Sequence, residues 1–209
     1  MNVPKQYSQP CRKVYNKKNI TVNLPNEEGD IEYYKHIIRA SRKLKINKNK
    51  FLLRIWEEPA FEYGGGVVYE LLMPESNTIE CNVIKFKSDY LEIIDMPNVE
   101  KKYESENDIY MNHLNYTITN LKSKTISQAY FNDIFNNLLN NYINSDDYCL
   151  SMLKGDRHPC FDGVTYHMEL NYNNYYSFVT YENPKCIENF YNQIDLFLAI
   201  WRIIEKEFN

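Results

Sequence analysis

The spacing of apolar residues changes along the chain and divides it into helical and extended segments. Between residues 31 and 45, apolar positions recur at helical spacing, with Tyr33, Ile37, Ala40 and Leu44 in one column. Asp30 precedes this segment as a candidate N-cap, because its carboxylate can accept hydrogen bonds from the free N–H groups of a first turn. The pattern predicts an amphipathic helix with a basic outer face, formed by Lys35, Arg39, Arg42 and Lys43.

From residue 51 onward, apolar and polar positions alternate, which is typical of half-buried strands. The alternation predicts strands at residues 51–58, 67–73, 78–87, 90–96 and 110–121. Ser88 and Asp89 supply a turn signal between the third and the fourth strand, and residues 97–107 are predicted to form a polar loop. The short connections favour an antiparallel meander.

Helical spacing returns twice in the second half of the chain. Ser127 can cap a helix over residues 128–143, which has two apolar columns: Tyr130, Ile134, Leu138 and Tyr142, and Phe131, Phe135 and Leu139. Asn183 and Pro184 begin a second helix, whose wide apolar stripe predicts deep burial: Ile187, Phe190, Tyr191, Ile194, Phe197, Leu198, Ile200, Trp201, Ile204 and Phe208. Between the helices, residues 163–171 and 175–181 alternate around an Asn-rich turn and predict a hairpin.

These elements predict a single α+β domain. Residues 1–29 form an irregular N-terminal arm, and residues 30–209 form the domain. We expect a mostly antiparallel sheet, composed of the meander and the C-terminal hairpin, with amphipathic helices packed on one face. No segment is rich enough in Pro, Gly or Ser to act as a linker between two domains.

The charge of the chain is unevenly distributed. Residues 1–54 hold 13 Lys and Arg against 4 Asp and Glu, whereas residues 55–209 hold 11 against 24, so the net charge is -4. A basic helix can bind nucleic acid through phosphate contacts. The acidic remainder of the chain opposes a polyanion, so we keep nucleic-acid binding through residues 31–45 only as an alternative.

Cysteine usage and hydropathy bear on the location of the protein. The five cysteines are odd in number and form no CxxC pair, which favours reduced thiols over a disulfide framework. No run approaches the roughly 18 apolar residues of a membrane helix, and the first twenty residues lack the apolar core of a secretory signal. We therefore expect a cytoplasmic protein without a transmembrane segment.

Residues 158–170, HPCFDGVTYHMEL, concentrate groups that could carry chemistry. His158, Cys160 and His167, with Cys149 upstream, lack the paired ligand spacing of structural zinc sites, so we predict neither metal nor cofactor. A Cys160 nucleophile would need a histidine oriented by a third group, and no such motif surrounds it. The alternation instead predicts a strand with His167 and Glu169 facing solvent, although the two could also line a cleft as a His–Glu pair.

Two further segments could contribute to binding. Arg54, Trp56 and Glu58 fall on one side of a predicted strand, which is an interface patch if that side is exposed and part of the core if a helix covers it. Gly64, Gly65 and Gly66 lack the spacing of a phosphate loop and predict a flexible hairpin loop, flanked by Phe61 and Tyr63.

The leading hypothesis is a soluble, non-catalytic module that binds another protein, such as an inhibitor or immunity-type partner. The alternative from another class is a small hydrolase or metal-assisted enzyme that uses His167 and Glu169 with His158 and Cys160. The sequence leaves the oligomeric state and the identity of the partner open.

Overall fold

The computed structural model describes residues 15–16, 28–46, 51–59, 65–73, 77–145, 163–173, 175–188 and 192–208. Its strands are β1 Tyr15–Asn16, β2 Phe51–Pro59, β3 Gly66–Leu72, β4 Thr78–Ser88, β5 Tyr116–Ser127, β6 Val164–Tyr172 and β7 Tyr175–Glu182. Its α-helices are α1 Glu28–Lys43, α2 Tyr90–Ile94, α3 Val99–Lys102, α4 Glu106–Asp108, α5 Gln128–Asn144 and α6 Asn192–Phe208. A π-helical turn, Ile109–His113, continues α4, and a 3-10 turn, Pro184–Ile187, precedes α6.

The strands form one antiparallel sheet in the order β1-β7-β6-β2-β3-β4-β5. The meander β2–β5 occupies one half, and the hairpin β6–β7 pairs with β2 on the other side, so β2 is central. Asn173 has a φ of 48° in the tight turn of this hairpin, a left-handed conformation that asparagine tolerates. The predicted α+β fold, with its meander and C-terminal hairpin, is therefore confirmed.

Helices cover both faces of the sheet, so the prediction of helices on one face is wrong. On the α5–α6 face, Ile55 and its cross-strand neighbours Tyr69 and Met168 pack beneath the two long helices. On the opposite α1 face, Trp56 and Val68 pack against α1. Consecutive residues of β2 are thus buried on opposite sides, which turns the central strands into the middle layer of three.

The buried side of α1 agrees with the predicted column, since Ile37, Ala40 and Leu44 are all buried. The helix begins at Glu28, however, so the prediction that Asp30 caps it is wrong: Asp30 lies within the first turns. Residues 1–14 and 17–27, the greater part of the predicted N-terminal arm, lie outside the described residues.

The connection between β4 and β5 is helical, contrary to two strand predictions. Residues 90–94 form α2, which buries Tyr90 and Ile93 and leaves Leu91 exposed. Residues 110–113 belong to the π-helical turn, so β5 begins only at Tyr116. The predicted loop over residues 97–107 also contains α3 and most of α4. Short apolar runs fit either period, and here the three-residue spacing of buried positions defines helices.

The two long helices bury the faces that the sequence predicts. The prediction that Asn183 and Pro184 begin the last helix is wrong, because they begin only the 3-10 turn and α6 begins at Asn192. Ser127 caps α5 by accepting a hydrogen bond from the Tyr130 backbone N–H at 3.1 Å. The α5 column Phe131, Phe135 and Leu139 is buried, whereas Tyr130, in the other predicted column, is 40% exposed. The predicted stripe of α6 is buried at these described positions: Ile194, Phe197, Leu198, Ile200, Trp201, Ile204 and Phe208.

One glycine and two cysteines constrain the interpretation further. Gly66, predicted as loop, begins β3, where a Cβ would lie 2.3 Å from the Glu57 carbonyl oxygen, so a larger side chain cannot fit. Cys81 is a buried free thiol, and burial raises its pKa to about 12. Cys186 is disulfide-bonded, so the prediction of reduced thiols is wrong for this cysteine.

No helix in the described part of the chain has both the length and the apolar composition to cross a bilayer.

We expect Phe135→Ala to destabilise the fold by about 3–5 kcal/mol, because it leaves a cavity between α5 and the sheet where the aromatic ring is fully buried. Urea unfolding measures the difference in free energy. The control Asn137→Ala changes an exposed position of the same helix and should stay within about 0.5 kcal/mol of the wild type. Similar losses in both variants would contradict the assigned face of α5.

Candidate functional site

The candidate site residues of β2 lie on the covered side of the sheet. Arg54, Trp56 and Glu58 share the α1 face as the sequence predicts, and Trp56 is fully buried in the cluster that includes Ile37 and Leu44 of α1. Of the two interpretations of this strand, the structure shows the second, in which a helix covers this side and makes it part of the core. Phe61 and Tyr63, the other two candidate binding residues, lie outside the described residues.

His167 and Glu169 also lie on the α1 face, but they do not face solvent. His167 is 0% exposed and Glu169 is 9% exposed, so the prediction of a solvated polar face is wrong. The alternation in β6 is real, yet α1 covers the centre of the face that the sequence assigns to water. Buried ionisable side chains require partners, and each of these residues finds different ones.

His167 belongs to a cluster of two histidines around one carboxylate. Its Nε2 lies 3.4 Å from Glu58 Oε2, and the Nε2 of His36, on α1, lies 3.6 Å from Glu58 Oε1. These distances suit ion pairs or long hydrogen bonds rather than close ones. Burial opposes the charge of Glu58, but its interactions with His167 and His36 outweigh burial and lower its pKa to about 2. The cluster thus joins α1, β2 and β6 through a carboxylate that stays ionised.

The other ring nitrogens of the two histidines contact hydroxyl groups. His36 Nδ1 lies 2.9 Å from the Tyr116 hydroxyl, and His167 Nδ1 lies 3.1 Å from Thr180 Oγ1. If each neutral imidazole carries its proton on Nε2, facing the carboxylate, the Tyr116 and Thr180 hydroxyls donate to Nδ1. Burial and the nearby negative charge of Glu58 raise the pKa of Tyr116, which therefore keeps its proton. The arrangement provides each histidine with a partner at both ring nitrogens.

Glu169 belongs to a second cluster, centred on Arg54. Arg54 donates from Nη1 to Glu169 Oε2 at 2.6 Å and from Nη2 to Glu70 Oε1 at 3.4 Å. The Tyr176 hydroxyl donates to the second oxygen of Glu169 at 2.7 Å. One guanidinium thus serves two buried carboxylates, and its contact with Glu169 is the shorter of the two. Burial raises the pKa of Glu70 to about 7 against the opposing charge of Arg54.

The structure therefore separates the residues that the enzyme hypothesis groups together. His167 contacts Glu58 whereas Glu169 contacts Arg54, and His158 and Cys160 lie outside the described residues. Across the described ranges, no three His, Cys, Asp or Glu side chains are placed to hold a metal ion. What the two clusters can do chemically is to hold charge between layers and bind or release protons.

Sequence reasoning missed His36 and Glu70 as members of these clusters. Glu70 stands at a position of β3 that shares the face of Val68, and His36 precedes the buried Ile37 of α1. An ionisable residue among core positions is a usable signal for a buried ion pair. Its partner cannot be named from sequence, because the contacts span up to 115 residues.

The basic face of α1 remains mostly at the surface. Lys35 and Arg42 are exposed, and Arg39 donates to the Asn112 backbone carbonyl at 2.7 Å. The ammonium group of Lys43 lies 5.7 Å from the centre of the Tyr116 ring, at the beginning of β5. Burial and the neighbouring Arg39 lower the pKa of Lys43. These side chains therefore border the helical connection and the outer strand instead of forming an isolated stripe.

The outer strand β5 is the most open element of the described sheet. It has 12 residues, pairs with β4 along its length, and exposes every side chain except those of Tyr116 and Ile126. Leu121 is 56% exposed and Ile118 is 42% exposed. Thr119 forms a bulge, because Asn120 pairs with Lys85 while Ile118 pairs with Phe86. At the opposite edge, the described part of β1 is only two residues long.

Comparison of the chain with protein-family models, with curated proteins and with solved structures found no match. Functional inference therefore rests on the buried clusters and the open edge.

We expect Glu58→Gln to destabilise the fold by about 1–3 kcal/mol at pH 7, because the amide cannot accept hydrogen bonds equally from both histidines. The folded-state pKa of about 2 lies below the ordinary 4.5. The contribution of the carboxylate is therefore present above about pH 5 and is lost as the pH falls towards 2. Urea unfolding at pH 7, 5 and 3 should show the difference shrinking at pH 3. A difference independent of pH, or an equal loss in the exposed control Glu92→Gln, would contradict this assignment.

We expect Glu70→Gln to stabilise the fold at high pH, which is the opposite of the effect expected for Glu58→Gln. The folded-state pKa of about 7 lies above the ordinary 4.5, so ionisation of Glu70 costs stability as the pH rises through this window. The variant should resemble the wild type near pH 5 and exceed its stability at pH 8. Glu169→Gln is the matched comparison and should be destabilising at both pH values, since it removes the closest partner of Arg54. Thermal unfolding at pH 5 and 8 tests both expectations.

Proposed function

We propose that the protein is a non-catalytic module that binds another protein, and that an extended segment of the partner adds to the sheet at β5. The observation that carries the proposal is that β5 has exposed side chains along most of its length and, among the described strands, pairs only with β4. An edge strand presents unpaired N–H and C=O groups, and an added strand satisfies them through main-chain hydrogen bonds.

The apolar side chains of the edge support binding beyond main-chain pairing. Leu121 and Ile118 flank the bulge on the α1 face, next to the buried Ile84 and Phe86 of β4. A strand laid beside β5 could cover both exposed side chains and so extend the apolar cluster beneath α1 outward. Single exposed apolar residues are ordinary on a surface, whereas two beside an open edge give a partner both hydrogen bonds and buried area.

The engagement of the buried ionisable groups supports a non-catalytic role. His36, Glu58 and His167 contact one another, and Arg54 is shared by Glu70 and Glu169. Such pairing fits a structural layer that fixes α1 and the central strands. The proposal therefore assigns these clusters to stability and assigns recognition to the outer strand.

The compartment of the module remains a prediction from sequence. We propose the cytoplasm because the cysteines are odd in number and form no CxxC pair, a pattern that favours reduced thiols. The disulfide at Cys186 argues for an oxidising compartment instead, because structural disulfides rarely persist among cytosolic thiols. Mass spectrometry of the natively expressed protein, with free thiols alkylated before lysis, distinguishes the two.

The edge-binding proposal can be tested with peptides selected from a random 12-residue display library and with hydrogen–deuterium exchange. Selected peptides should slow exchange of the amides of residues 116–127, because alternate amides of an outer strand point away from the neighbouring β4. Thr119→Pro should weaken binding at least tenfold, because proline at the bulge removes a donor and bars close approach of a second strand. Thr119→Ala is the matched control and should bind like the wild type.

Both variants should keep the wild-type unfolding temperature within a few degrees, since Thr119 has no partner on β4. Selected peptides that leave β5 exchange unchanged would refute the edge as the binding site.

A further inference from the structure

The two faces of β5 differ sharply in chemistry. Lys122 and Lys124 pair with Val83 and Cys81 of the α5–α6 face, so their side chains project on that side of the sheet. Leu121 and Ile118 pair with residues of the α1 face and project on the other side. The edge is therefore cationic on one face and apolar on the other.

The cationic face is wider than one strand. Lys85 and Lys87 of β4 continue the row of Cys81 and Val83 beyond the part that α5 and α6 cover, and both side chains are exposed. With Lys122 and Lys124 they place four lysines on one face of two adjacent strands. Lys124 contacts Glu207 at 3.6 Å, and β5 itself contains no acidic residue. This face of the two strands therefore concentrates lysines, although the chain as a whole carries a net charge of -4.

A strand added beside β5 must match both faces at once. Side chains of neighbouring strands lie opposite each other on the same face, and opposite charges in such pairs attract while like charges repel. Residues that follow one another along a strand point to alternate faces. The added strand therefore meets Lys122 and Lys124 on one face, and Leu121 and Ile118 on the other.

We propose that the partner segment bound at β5 is an acidic strand, with Asp or Glu opposite Lys122 and Lys124 and apolar residues opposite Leu121 and Ile118. This inference rests on the proposed function and specifies its partner. Lys85 and Lys87, one strand further in, add positive charge to the same face without facing the added strand directly.

A second copy of this chain fits the edge poorly. Two β5 strands paired antiparallel about a two-fold axis normal to the sheet would keep the same face on each side. Each lysine row would then adjoin the other, which brings eight like charges onto one face. The arrangement that suits an acidic strand thus disfavours self-association.

Nucleic acid fits the edge less well than an acidic strand does. Sequence-tolerant binding of single strands uses aromatic side chains on which bases stack. Tyr116, the one aromatic residue of β5, is hydrogen-bonded to His36. The apolar pair Leu121 and Ile118 would also remain uncovered beside a phosphate backbone.

The test uses the intact chain and the same 12-residue peptide library, with selection on the wild type and on two single variants. Lys122→Glu reverses one charge of the edge, and Lys101→Glu makes the same change in net charge on α3, away from the sheet. We expect the wild type to select acidic peptides with alternating apolar residues. Lys122→Glu should weaken their binding about tenfold, whereas Lys101→Glu should leave it within about twofold. Thermal unfolding confirms that both variants are folded.

The outcomes separate this inference from the proposed function. Neutral or basic peptides that protect β5 amides would overturn the acidic partner and leave the edge proposal standing. Equal weakening by both variants would also overturn it, since net charge alone would explain the effect. Peptides that protect only other regions, or a library without binders, would overturn both proposals. Protection of β5 that rises with protein concentration alone would assign the edge to a second copy, and stronger protection by a 20-base oligonucleotide would assign the lysines to nucleic acid.

Discussion

The architecture depends on neutralising ionisable side chains enclosed between α1 and the central strands. Covering both faces of β2 and β6 places Arg54, His167 and Glu169 out of water and leaves the Glu58 side chain 15% exposed, and an unpaired charge there would cost several kcal/mol. The fold tolerates them because each carboxylate faces a cation or an imidazole N–H. The polar contacts also fix where α1 lies along β2, which apolar contacts alone do not specify, because His36 of α1 contacts Glu58 at one position of the strand.

The two clusters differ in how completely they achieve this neutralisation. Glu58 lies between two histidines, and its pKa falls to about 2, so its charge is supported throughout the neutral range. Arg54 must serve two carboxylates, and the more distant Glu70 takes up a proton near pH 7. Burial of two acids beside one base leads to this result, because a second full charge would lack a counter-ion. The layer therefore has one robust anchor and one that titrates near neutrality.

Local patterns predicted the elements that pair with a neighbour close in sequence and the helices that carry a long apolar stripe. The faces of α5 and α6, the Ser127 cap and the β6–β7 hairpin all follow from spacing alone. The failures concern information that the local pattern does not hold. Alternation in β6 correctly divided its side chains between two faces. The polar face is nevertheless covered, because α1, which lies more than a hundred residues earlier in the sequence, packs over it. In residues 90–113, short apolar runs fit strands and helices equally, and packing of Tyr90 and Ile93 against Ile109 selects helices.

In the described part of the chain, the helices cover the sheet as far as β4, and most side chains of β5 are exposed. Lysines on an exposed edge have a well-known protective role, since they discourage pairing with another chain. Protection alone accounts for Lys122 and Lys124, but it does not account for Leu121 and Ile118 on the other face, which would invite the aggregation that the lysines oppose. Both features are consistent if the lysines repel a second copy of this chain and attract a strand of opposite charge. Discrimination of this kind needs a repulsive element as well as an attractive one, and a strand with two distinct faces carries both.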